Sequence, residues 1–581
     1  MTSQTMTPLP AADDTTDSLD EDIQVTVPHL PEIPDKTLDQ IIREETDSFV
    51  CSLDPDECSD YDPAELSTSL VRMVAKACRD YNSSVNPDTG VRRRKDEWVT
   101  VPKKLCPNQI ASIMLQLYYI VRVKCGGENA DPSYDLLAIY QTSGPNEGIY
   151  IADEGEIMRI AMQYCYTLTN RELNDVLGLI KLKAPRVQRT MDRDLIAVNN
   201  GVFDFENKIL LPFDPRYVFL AKSKVNYNPK AVNVVIHNDV DGTDWDVESW
   251  MQELSDDPEI VNVLWEIMSA IVRPFVRWNK SAWFYSTTGN NGKGTLCELM
   301  RSLCGDGSYA AIPLTDFGKD FALEPLTRAN AIIVDENDVG SYIDKAANLK
   351  AVITNDVIPI NRKFKSVISY QFFGFMVQCL NEFPRVKDKS DSFYRRQLFI
   401  PFDKCFTGRE RKYIKNEYLH RDDVLQYVLF RVLNMNFYSL SEPASCINML
   451  SEYKEYNDPV RAYLEEMTPQ FVWNLVPGTF LYDLYKQWFR RANPSGSIQG
   501  RSSFLQDVQN RIKDFPEWDW SGTPVRSKGR MEATEELIAE YALTDWYNPV
   551  YTGQDRAKLC TPKLNENYRG IVRKEPTSQA S

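Results

Sequence analysis

The sequence has few of the residues that build metal sites and lacks the long apolar runs that cross membranes. It contains only three histidines, and its 12 cysteines include no Cys-x-x-Cys pair. Zinc sites with recognisable ligand spacing are therefore not expected, and scattered cysteines are typical of a reduced, intracellular protein. No apolar run approaches the roughly 20 residues that a membrane-spanning helix needs. We expect a soluble, cytoplasmic protein that does not bind membranes.

Basic residues are outnumbered by acidic ones, 66 to 83, and the net charge is −17. Most of this excess lies at the N-terminus, because residues 1–60 carry 16 Asp and Glu against Lys36 and Arg43. Such a segment buries too little apolar surface to offset its ordering entropy, so about the first 40 residues are expected to be disordered. This tail either solubilises the protein or acts as a partner-binding or DNA-mimicking arm. The remainder is nearly neutral, so its charge does not exclude nucleic-acid binding.

The most informative motif is WFYSTTGNNGKGTLCEL at 283–299. An apolar run breaks into a turn rich in glycine and asparagine, which predicts a strand, a loop whose N–H groups surround phosphate oxygens, and a helix with its positive dipole end at the anion. The usual motif has glycine where Thr287 stands and Ser or Thr where Gly294 stands, so Thr295 becomes the candidate hydroxyl ligand of Mg²⁺. The predicted ATP-binding residues are Gly289, Asn290, Asn291, Gly292, Lys293, Gly294 and Thr295.

Two later apolar runs end in polar side chains. The run AIIVDEN at 331–337 is typical of a buried strand, and it presents two adjacent carboxylates. Asp335 is the candidate Mg²⁺ ligand, and Glu336 is the candidate base that deprotonates the attacking water. The run FFGFMVQCLNEFP at 372–384 ends in Asn381, which we predict to hold that water or to sense the γ-phosphate.

Two basic segments accompany these runs. In DSFYRRQLFIPF at 391–402, Arg395 and Arg396 precede an apolar strand, where an arginine can reach the γ-phosphate of a neighbouring subunit. The segment NRKFKS lies between two β-branched runs and predicts a hairpin with a cationic and aromatic tip. Such a tip can track single-stranded DNA, with cations on phosphates and the ring against bases. The candidate DNA-binding residues are Arg362, Lys363, Phe364 and Lys365.

The order of these motifs resembles the superfamily 3 helicases, in particular the helicase half of phage and plasmid primase-helicase proteins and their large-DNA-virus relatives. The segment LIAVNNGVFDFENKILLPFDP at 195–215 resembles the module that precedes the motor in that family, and 458–512 resembles its C-terminal winged-helix-like domain. The resemblance covers roughly 150–515. It implies an AAA+-like phosphate-loop ATPase domain with a mostly parallel sheet, a mixed α+β N-terminal module and a small winged-helix-like C-terminal domain.

The resemblance also implies an activity. It indicates an ATP-dependent replicative DNA helicase of a phage, plasmid or mobile element, acting in the host cytoplasm as a homo-oligomeric ring, a hexamer, on single-stranded and forked DNA. Replication initiator, primase and polymerase proteins are the implied partners. A bifunctional primase-helicase and a nucleotide-switched initiator without unwinding activity remain alternatives.

The family pattern assigns roles to individual positions. It places ATP and Mg²⁺ on Lys293, Thr295 and Asp335, hydrolysis on Glu336, the sensor on Asn381, and the trans-acting finger on Arg396, with Arg395 as the alternative. A finger that acts in trans requires a ring in which each subunit completes its neighbour's site.

The spacing of apolar and turn residues predicts six parts. These are an acidic disordered tail (1–48), a mainly helical region (49–170), a β-containing module (171–250), the ATPase domain (251–440), a winged-helix-like domain (441–550) and a loose polar tail (551–581). Hairpins are expected at 195–220 and a mostly parallel sheet at 281–403. Helices are expected at 66–81, 108–123, 257–276, 421–435, 458–467, 479–493 and 502–512.

Two basic or aromatic segments allow two interpretations each. The run RRRK at 92–95 is either a solvated loop or a phosphate contact. The helix predicted at 479–493 interleaves Lys486 and two arginines with aromatic residues, which indicates either DNA contact or packing within a small domain.

Overall fold

The computed structural model describes residues 30–125, 131–363, 365–492 and 498–574. Outside these ranges lie the first 29 residues of the predicted acidic tail, Phe364 of the predicted hairpin tip and the last seven residues. The prediction of disorder is wrong for 38–48, because a helix begins at Leu38, where Thr37 and Gln40 form a capping box. The chain divides into two compact units, one formed by Met1–Tyr119 with Glu154–Ala184 and the other by Ile120–Asp153 with Pro185–Ser581. Within the described ranges, no helix is both long and apolar enough to cross a bilayer.

The first unit is mainly helical. Its helices are α1 (Leu38–Cys51), α2 (Pro63–Ser83), α3 (Pro107–Leu117), α4 (Glu154–Tyr164) and α5 (Asn170–Lys183), and its strands are β1 (Val85–Asn86) and β2 (Val91–Arg92), which pair antiparallel. Asp62 caps α2 by accepting a hydrogen bond from the Ala64 amide, and Thr169 caps α5 together with Glu172. The helix predicted at 66–81 is confirmed as part of α2.

The basic run at 92–95 contributes to the fold through Arg93. Its guanidinium group is buried, lies 4.0 Å from the ring centre of Tyr81, and donates to the carbonyl of Ile33 at 2.7 Å and to the carboxylate of Asp35. Arg93 therefore anchors the segment before α1 to the end of α2, whereas its neighbours in the run are exposed.

The helix predicted at 108–123 is correct only to Leu117, where α3 ends. Residues 120–123 form instead a strand, β3 (Ile120–Val123), whose β-branched side chains favour the extended backbone. It lies in a four-stranded sheet of the second unit, in the order β5, β4, β3, β6. The other members are β4 (Leu136–Tyr140), β5 (Tyr150–Ile151) and β6 (Arg186–Val187).

A meander and two helices come before the central sheet of the second unit. The meander is β7 (Leu195–Val198), β8 (Gly201–Asp204) and β9 (Ile209–Leu211), which confirms the predicted hairpins up to Leu211. A two-stranded ribbon of β10 (Ile236–Asn238) and β11 (Thr243–Trp245) leads into α6 (Val247–Glu253) and α7 (Pro258–Val272). Asp257 caps α7, and the helix ends before Pro274, close to the bounds predicted for it.

The central sheet is parallel and five-stranded, as predicted for 281–403. Its elements in chain order are β12 (Ser281–Tyr285), α8 (Lys293–Cys304), β13 (Tyr309–Ala310), β14 (Ala331–Val334), β15 (Tyr342–Ile343), α9 (Ala346–Ile353), β16 (Val357–Arg362), β17 (Lys365–Gln371), β18 (Phe375–Leu380), β19 (Arg385–Val386), α10 (Asp391–Tyr394) and β20 (Gln397–Pro401). The sheet order is β13, β14, β18, β12, β20, whereas β15 pairs with β19 and β16 with β17 outside it.

Both faces of the central sheet are buried, so its strands read as continuous apolar runs. Side chains alternate between two cores along each strand. Ala282 and Phe284 of β12 pack on one side with α7 and α8, whereas Trp283 packs on the other. This alternation fixes the register of the sheet and therefore the position of every strand end.

Helices and a small sheet follow the central sheet. The helices are α11 (Lys412–Asn416), α12 (Asp422–Leu433), α13 (Ala444–Asn457), α14 (Pro459–Met467), α15 (Gly478–Ala492), α16 (Arg501–Arg511), α17 (Leu537–Glu540) and α18 (Arg556–Leu559). The strands are β21 (Leu475–Pro477), β22 (Trp518–Trp520), β23 (Val525–Arg526), β24 (Asn567–Tyr568) and β25 (Gly570–Arg573). Single 3-10 turns lie at Pro55–Asp60, Pro132–Tyr134, Leu314–Asp316, Glu324–Thr327, Tyr418–His420, Ile512–Asp514 and Thr544–Trp546. The four helices predicted after 420 are confirmed.

The aromatic residues of α15 contribute mainly to packing. Tyr485, Trp488 and Phe489 are buried in a core formed with α14 and α16, and Lys486 pairs with Asp483 at 3.0 Å. Of the two interpretations that the sequence allowed for this helix, the packing role accounts for these rings.

The prediction of a loose tail after Tyr551 is wrong for 567–573. There β25 is the central strand of an antiparallel sheet, between β21 and β22, and Ile571 is fully buried. Only the short run Gly570–Arg573 is apolar enough to suggest a strand, and its partners lie about 50 and 95 residues away in sequence, which local patterns do not reveal.

The buried position of Ile571 gives a test of this correction. Replacing it with alanine in the full-length protein should cost about 2–5 kcal/mol of unfolding free energy, because it leaves a cavity in the small core. The measurement is the urea concentration at the midpoint of unfolding of the domain whose core contains Ile571. Val550→Ala is the matched control, since that side chain is 83% exposed and its loss should leave the midpoint unchanged. Equal midpoints for both variants would show that 567–573 does not belong to the core.

Candidate functional site

Three of the predicted motifs end at one edge of the central sheet. The strands β14, β18 and β12 are adjacent and parallel, so their carboxyl ends point the same way. The pair Asp335 and Glu336 follows β14, Asn381 follows β18, and the glycine-rich loop follows β12. Because β18 lies between the other two strands, Asn381 is placed between the loop and the carboxylates.

The ammonium group of Lys293 ties the loop to the neighbouring strand. It donates to the side-chain oxygen of Asn381 at 2.8 Å, to the carbonyl of Leu380 at 3.0 Å and to the carbonyl of Ser286 at 3.3 Å. The side chain is buried, and this burial lowers the pKa of Lys293 from its usual value. A cation held in this way has lost part of its hydration and is pre-placed for an anionic ligand.

Gly292 determines how the loop enters α8. It is the N-cap residue, with φ +88°, and a Cβ added there would come within 2.6 Å of the Leu254 side chain. The positive φ favours glycine, because a residue with a side chain is strained there, and the Leu254 side chain would also have to move. Gly292 has no side chain that could accept hydrogen bonds from the amides of the first turn, which leaves this helix N-terminus open to an anion.

Asp335 is paired with Arg301 of α8. One guanidinium nitrogen lies 2.8 Å from Asp335 Oδ1 and the other 3.3 Å from Oδ2. Partial burial alone would raise the pKa of the Asp335 carboxyl, but the hydrogen bond and charge of Arg301 outweigh this and lower the pKa. Asp335 is therefore ionised at neutral pH, and Glu336 beside it is exposed.

Asn337 completes the same turn and has no assigned role in the sequence prediction. Its buried amide donates to Gln378 Oε1 at 3.0 Å and to the carbonyl of Cys379 at 3.1 Å, and it accepts from the amide of Leu314 at 3.0 Å. Asn337 thus fixes the carboxylate turn against β18. An asparagine directly after two acids is the available signal in the sequence, but asparagine is common in turns and does not identify this function by itself.

A cavity of about 470 Å³ adjoins the loop. One wall consists of loop residues including Gly294 and Thr295, and a second contains Trp250 and Leu254. The third wall is the segment 406–416, which the sequence analysis did not assign to the site. It contributes Phe406, Arg409, Arg411, Lys412 and Lys415, among others.

The segment 406–416 is joined to the loop by direct contacts. The backbone N–H of Phe406 donates to the carbonyl of Asn290 at 2.7 Å. The side-chain nitrogen of Asn290, Nδ2, lies 3.2 Å from both Thr407 Oγ1 and Glu410 Oε1. Lys415 Nζ is 3.9 Å from the point where a Cβ of Gly294 would lie. The basic spacing in GRERKYIK at 408–415 is a signal that could have identified this wall.

Arg395 and Arg396 differ in exposure. The Arg396 guanidinium group lies against the preceding helix α10, where it donates to the carbonyl of Ser392 and, at 2.8 Å, to the Ser392 hydroxyl. Burial and the adjacent charge of Arg395 lower the pKa of Arg396. Arg395 is exposed at the C-cap of α10. Arg395 is therefore the exposed arginine of the two, whereas Arg396 would have to leave Ser392 to reach another chain.

The basic segment at 362–365 forms the hairpin that its sequence predicts. Strands β16 and β17 pair antiparallel, with Arg362 opposite Lys365, and Lys363 is exposed at the turn. Ile360 and Ile368 are buried at the base of the hairpin. Phe364 lies outside the described residues, so the DNA-binding role of this tip stays a prediction.

Family models match three separate parts of the chain. The model described as D5 N terminal like matches residues 149–267, and the one described as Poxvirus D5 protein-like matches residues 455–548. Between them, residues 284–396 match a model described as Family of unknown function (DUF5906). Two D5-type matches therefore flank the central sheet and the loop. These matches relate the flanking parts of the chain to viral D5-type primase-helicases.

A similar protein is the putative helicase 121R of Invertebrate iridescent virus 3. It is 26% identical over 246 residues, which is 37% of this chain and 23% of the relative. The chain thus covers about a quarter of that curated relative. Two solved structures of the C-terminal region of NrS-1 are 12% identical to it, with TM-scores of 0.38 and 0.40, covering 73% and 81% of this chain and 98% and 100% of theirs.

Proposed function

We propose that this chain is the ATP-dependent motor of a replicative DNA helicase, acting as a homo-oligomeric ring on single-stranded and forked DNA. The observation that carries the proposal is the bonding of Lys293 to Asn381 and to the ends of β12 and β18. It joins the loop to the sensor candidate, and the hydrogen bonds from Asn337 to β18 hold the carboxylate turn against the same strand. The D5-type matches on both sides of the central sheet support helicase function in particular, because a nucleotide site by itself does not distinguish motors from switches.

The residues present fit a nucleoside triphosphate with Mg²⁺. A Cβ added at Gly289 would meet nothing within 4 Å, so a phosphate can approach the loop closely, and the adjoining cavity has space for a base and ribose. Mg²⁺ is usually held by one or two carboxylates together with substrate phosphates. Thr295 and Asp335 would supply the protein ligands of Mg²⁺. Asp335 would then exchange its ion pair with Arg301 for the metal ion.

Each group of the proposed site has a defined task in hydrolysis. ATP with Mg²⁺ supplies the phosphoanhydride bond and the free energy of its cleavage. Lys293 and the first amides of α8 hold negative charge, Asn381 orients a water molecule, and a Glu336 carboxylate oxygen accepts the proton from that water. Phe406 and Lys415 would contact the base, ribose or phosphates from the cavity side.

The exposed position of Arg395 makes it our proposal for the trans-acting finger. The family pattern favours Arg396, but in this chain that side chain is bonded to Ser392. A ring with a heterologous interface would bring Arg395 of one subunit to the nucleotide of the next.

The ATPase proposal is tested with substitutions at two positions. Lys293→Ala should abolish binding of a fluorescent ATP analogue, because the loop loses its buried cation. Glu336→Gln should bind the analogue normally but turn over about 10²-fold more slowly or worse. The matched controls are Lys319→Ala and Asp338→Asn, which change an exposed lysine and an exposed acid near the site. If Glu336→Gln hydrolyses ATP at the wild-type rate, Glu336 is not the general base.

The finger assignment is tested by mixing inactive subunits. Arg395→Ala and Glu336→Gln proteins should each hydrolyse ATP slowly, since such fingers contribute about 10³–10⁵ in rate where they have been measured. A mixture should recover part of the activity, because some interfaces then combine an intact base with an intact arginine. Arg396→Ala is the comparison. A larger loss for that variant than for Arg395→Ala, in a folded protein, would return the finger to Arg396.

Unwinding is tested through the hairpin. Lys363→Ala/Lys365→Ala should lose displacement of a labelled strand from forked DNA while retaining basal ATP turnover, because the tip and not the nucleotide site is changed. Lys230→Ala/Lys319→Ala is the matched control at exposed lysines. ATP turnover without strand displacement in the wild type would favour the nucleotide-switched initiator. Template-dependent primer synthesis by the full chain would favour the bifunctional primase-helicase.

A further inference from the structure

A second groove lies beyond the end of β18. Its volume is about 600 Å³, and it runs between the edge of the central domain and helices α13 to α15. One wall is formed by the two-stranded pair β15 and β19 and the residues after it, which contribute Tyr342, Arg385 and Lys389. The opposite wall contributes Tyr456 from α13 and Trp488 from α15. Nothing in the proposed ATPase mechanism uses these side chains.

The groove combines accessible aromatic rings with cations. Tyr342 is 52% exposed and Tyr456 is 42% exposed, which are high values for aromatic side chains. One side of the Tyr456 ring is supported by Phe383, whose centroid is 5.7 Å away. This support orients the ring without burying it. A ring held in this way can stack on a planar group at low entropic cost.

The charges of the groove favour an anionic occupant. Among the residues that the structure describes, no carboxylate lies within ion-pair distance of Arg385 or Lys389, whereas the neighbouring Lys387 is neutralised by Asp344 at 2.9 Å. Glu455 is the acid in the lining. Two available cations beside two exposed tyrosines match a polymer that alternates phosphates with flat bases.

We propose that this groove is a second binding track for single-stranded nucleic acid, separate from the hairpin at 362–365. Bases stack on Tyr342 and Tyr456, and backbone phosphates pair with Arg385 and Lys389. The track begins four residues after Asn381, and the Glu382 carboxylate accepts from the Gly340 amide at 3.0 Å, which links the two loops that carry the groove and the candidate site. The proposal deepens the DNA-binding part of the proposed function and does not depend on ATP.

The aromatic contribution is measured by fluorescence anisotropy of the full-length protein with a labelled oligothymidylate of about 20 nucleotides, without nucleotide. Tyr342→Ala/Tyr456→Ala should weaken binding about tenfold or more, because two stacking contacts are lost. Tyr342→Phe/Tyr456→Phe keeps both rings and should bind like the wild type. Tyr166→Ala is the control, since that exposed tyrosine lies in the other unit.

The ionic contribution is measured by salt dependence. Arg385→Ala/Lys389→Ala should reduce the slope of log affinity against log salt concentration by about 1.4, the value for two phosphate contacts on a single strand. Arg171→Ala/Lys230→Ala, at two exposed positions, should leave the slope unchanged.

The outcomes separate this inference from the proposed function. If the wild type binds and only Lys363→Ala/Lys365→Ala weakens binding, the groove inference fails and the helicase proposal stands. If the wild type binds no single strand at all, both fail. If the groove variants bind DNA normally but change the oligomeric state in sedimentation, the groove is a contact between copies of this chain and the nucleic-acid track is refuted.

Discussion

The buried ammonium group of Lys293 is the interaction on which the rest of the site depends. It bonds to backbone carbonyls at the ends of β12 and β18 and to the Asn381 side chain, so it joins elements almost 90 residues apart in sequence. A buried cation is unfavourable unless it is well hydrogen-bonded, and these three acceptors satisfy that requirement. The same contacts hold the ammonium group where it can bind an anion.

The parallel sheet makes this arrangement possible. Its two buried faces fix the register of the strands, and the register aligns the loop, the sensor candidate and the carboxylate turn at one edge. Arg301 and Asn337 then hold that turn from two sides, one by charge and the other by hydrogen bonds to β18. The groove between β19 and α13 lies just beyond the same edge. The carboxyl edge of the sheet therefore presents the loop, Asn381 and the carboxylate turn together, whereas Arg395 and Arg396 precede β20 at its opposite end.

Local sequence patterns predicted much of this arrangement of strands and helices. The apolar runs before the loop, the acids and Asn381 predicted buried parallel strands, and the helices after 420 were predicted by their 3.6-residue period. The errors occurred where pairing is non-local. The strand at 120–123 was predicted as the end of a helix, because a run of four apolar and basic residues fits a helix as well as a strand. It forms a strand because it pairs with the strand at 136–140. The strand at 570–573 was hidden in a polar terminus for the same reason.

The sequence by itself determined which residues form the loop, the carboxylate pair and the basic hairpin, because glycine backbone freedom, buried apolar runs and β-branched strands act over a few neighbours. Only the tertiary structure decided that the segment 406–416 closes the cavity, that Arg396 is bonded to Ser392 while Arg395 is exposed, and that Tyr342 and Tyr456 line one groove. These facts depend on which distant surfaces come together when the cores are buried. Local periodicity carries no information on that, since contacts between distant segments are selected by packing of the whole chain.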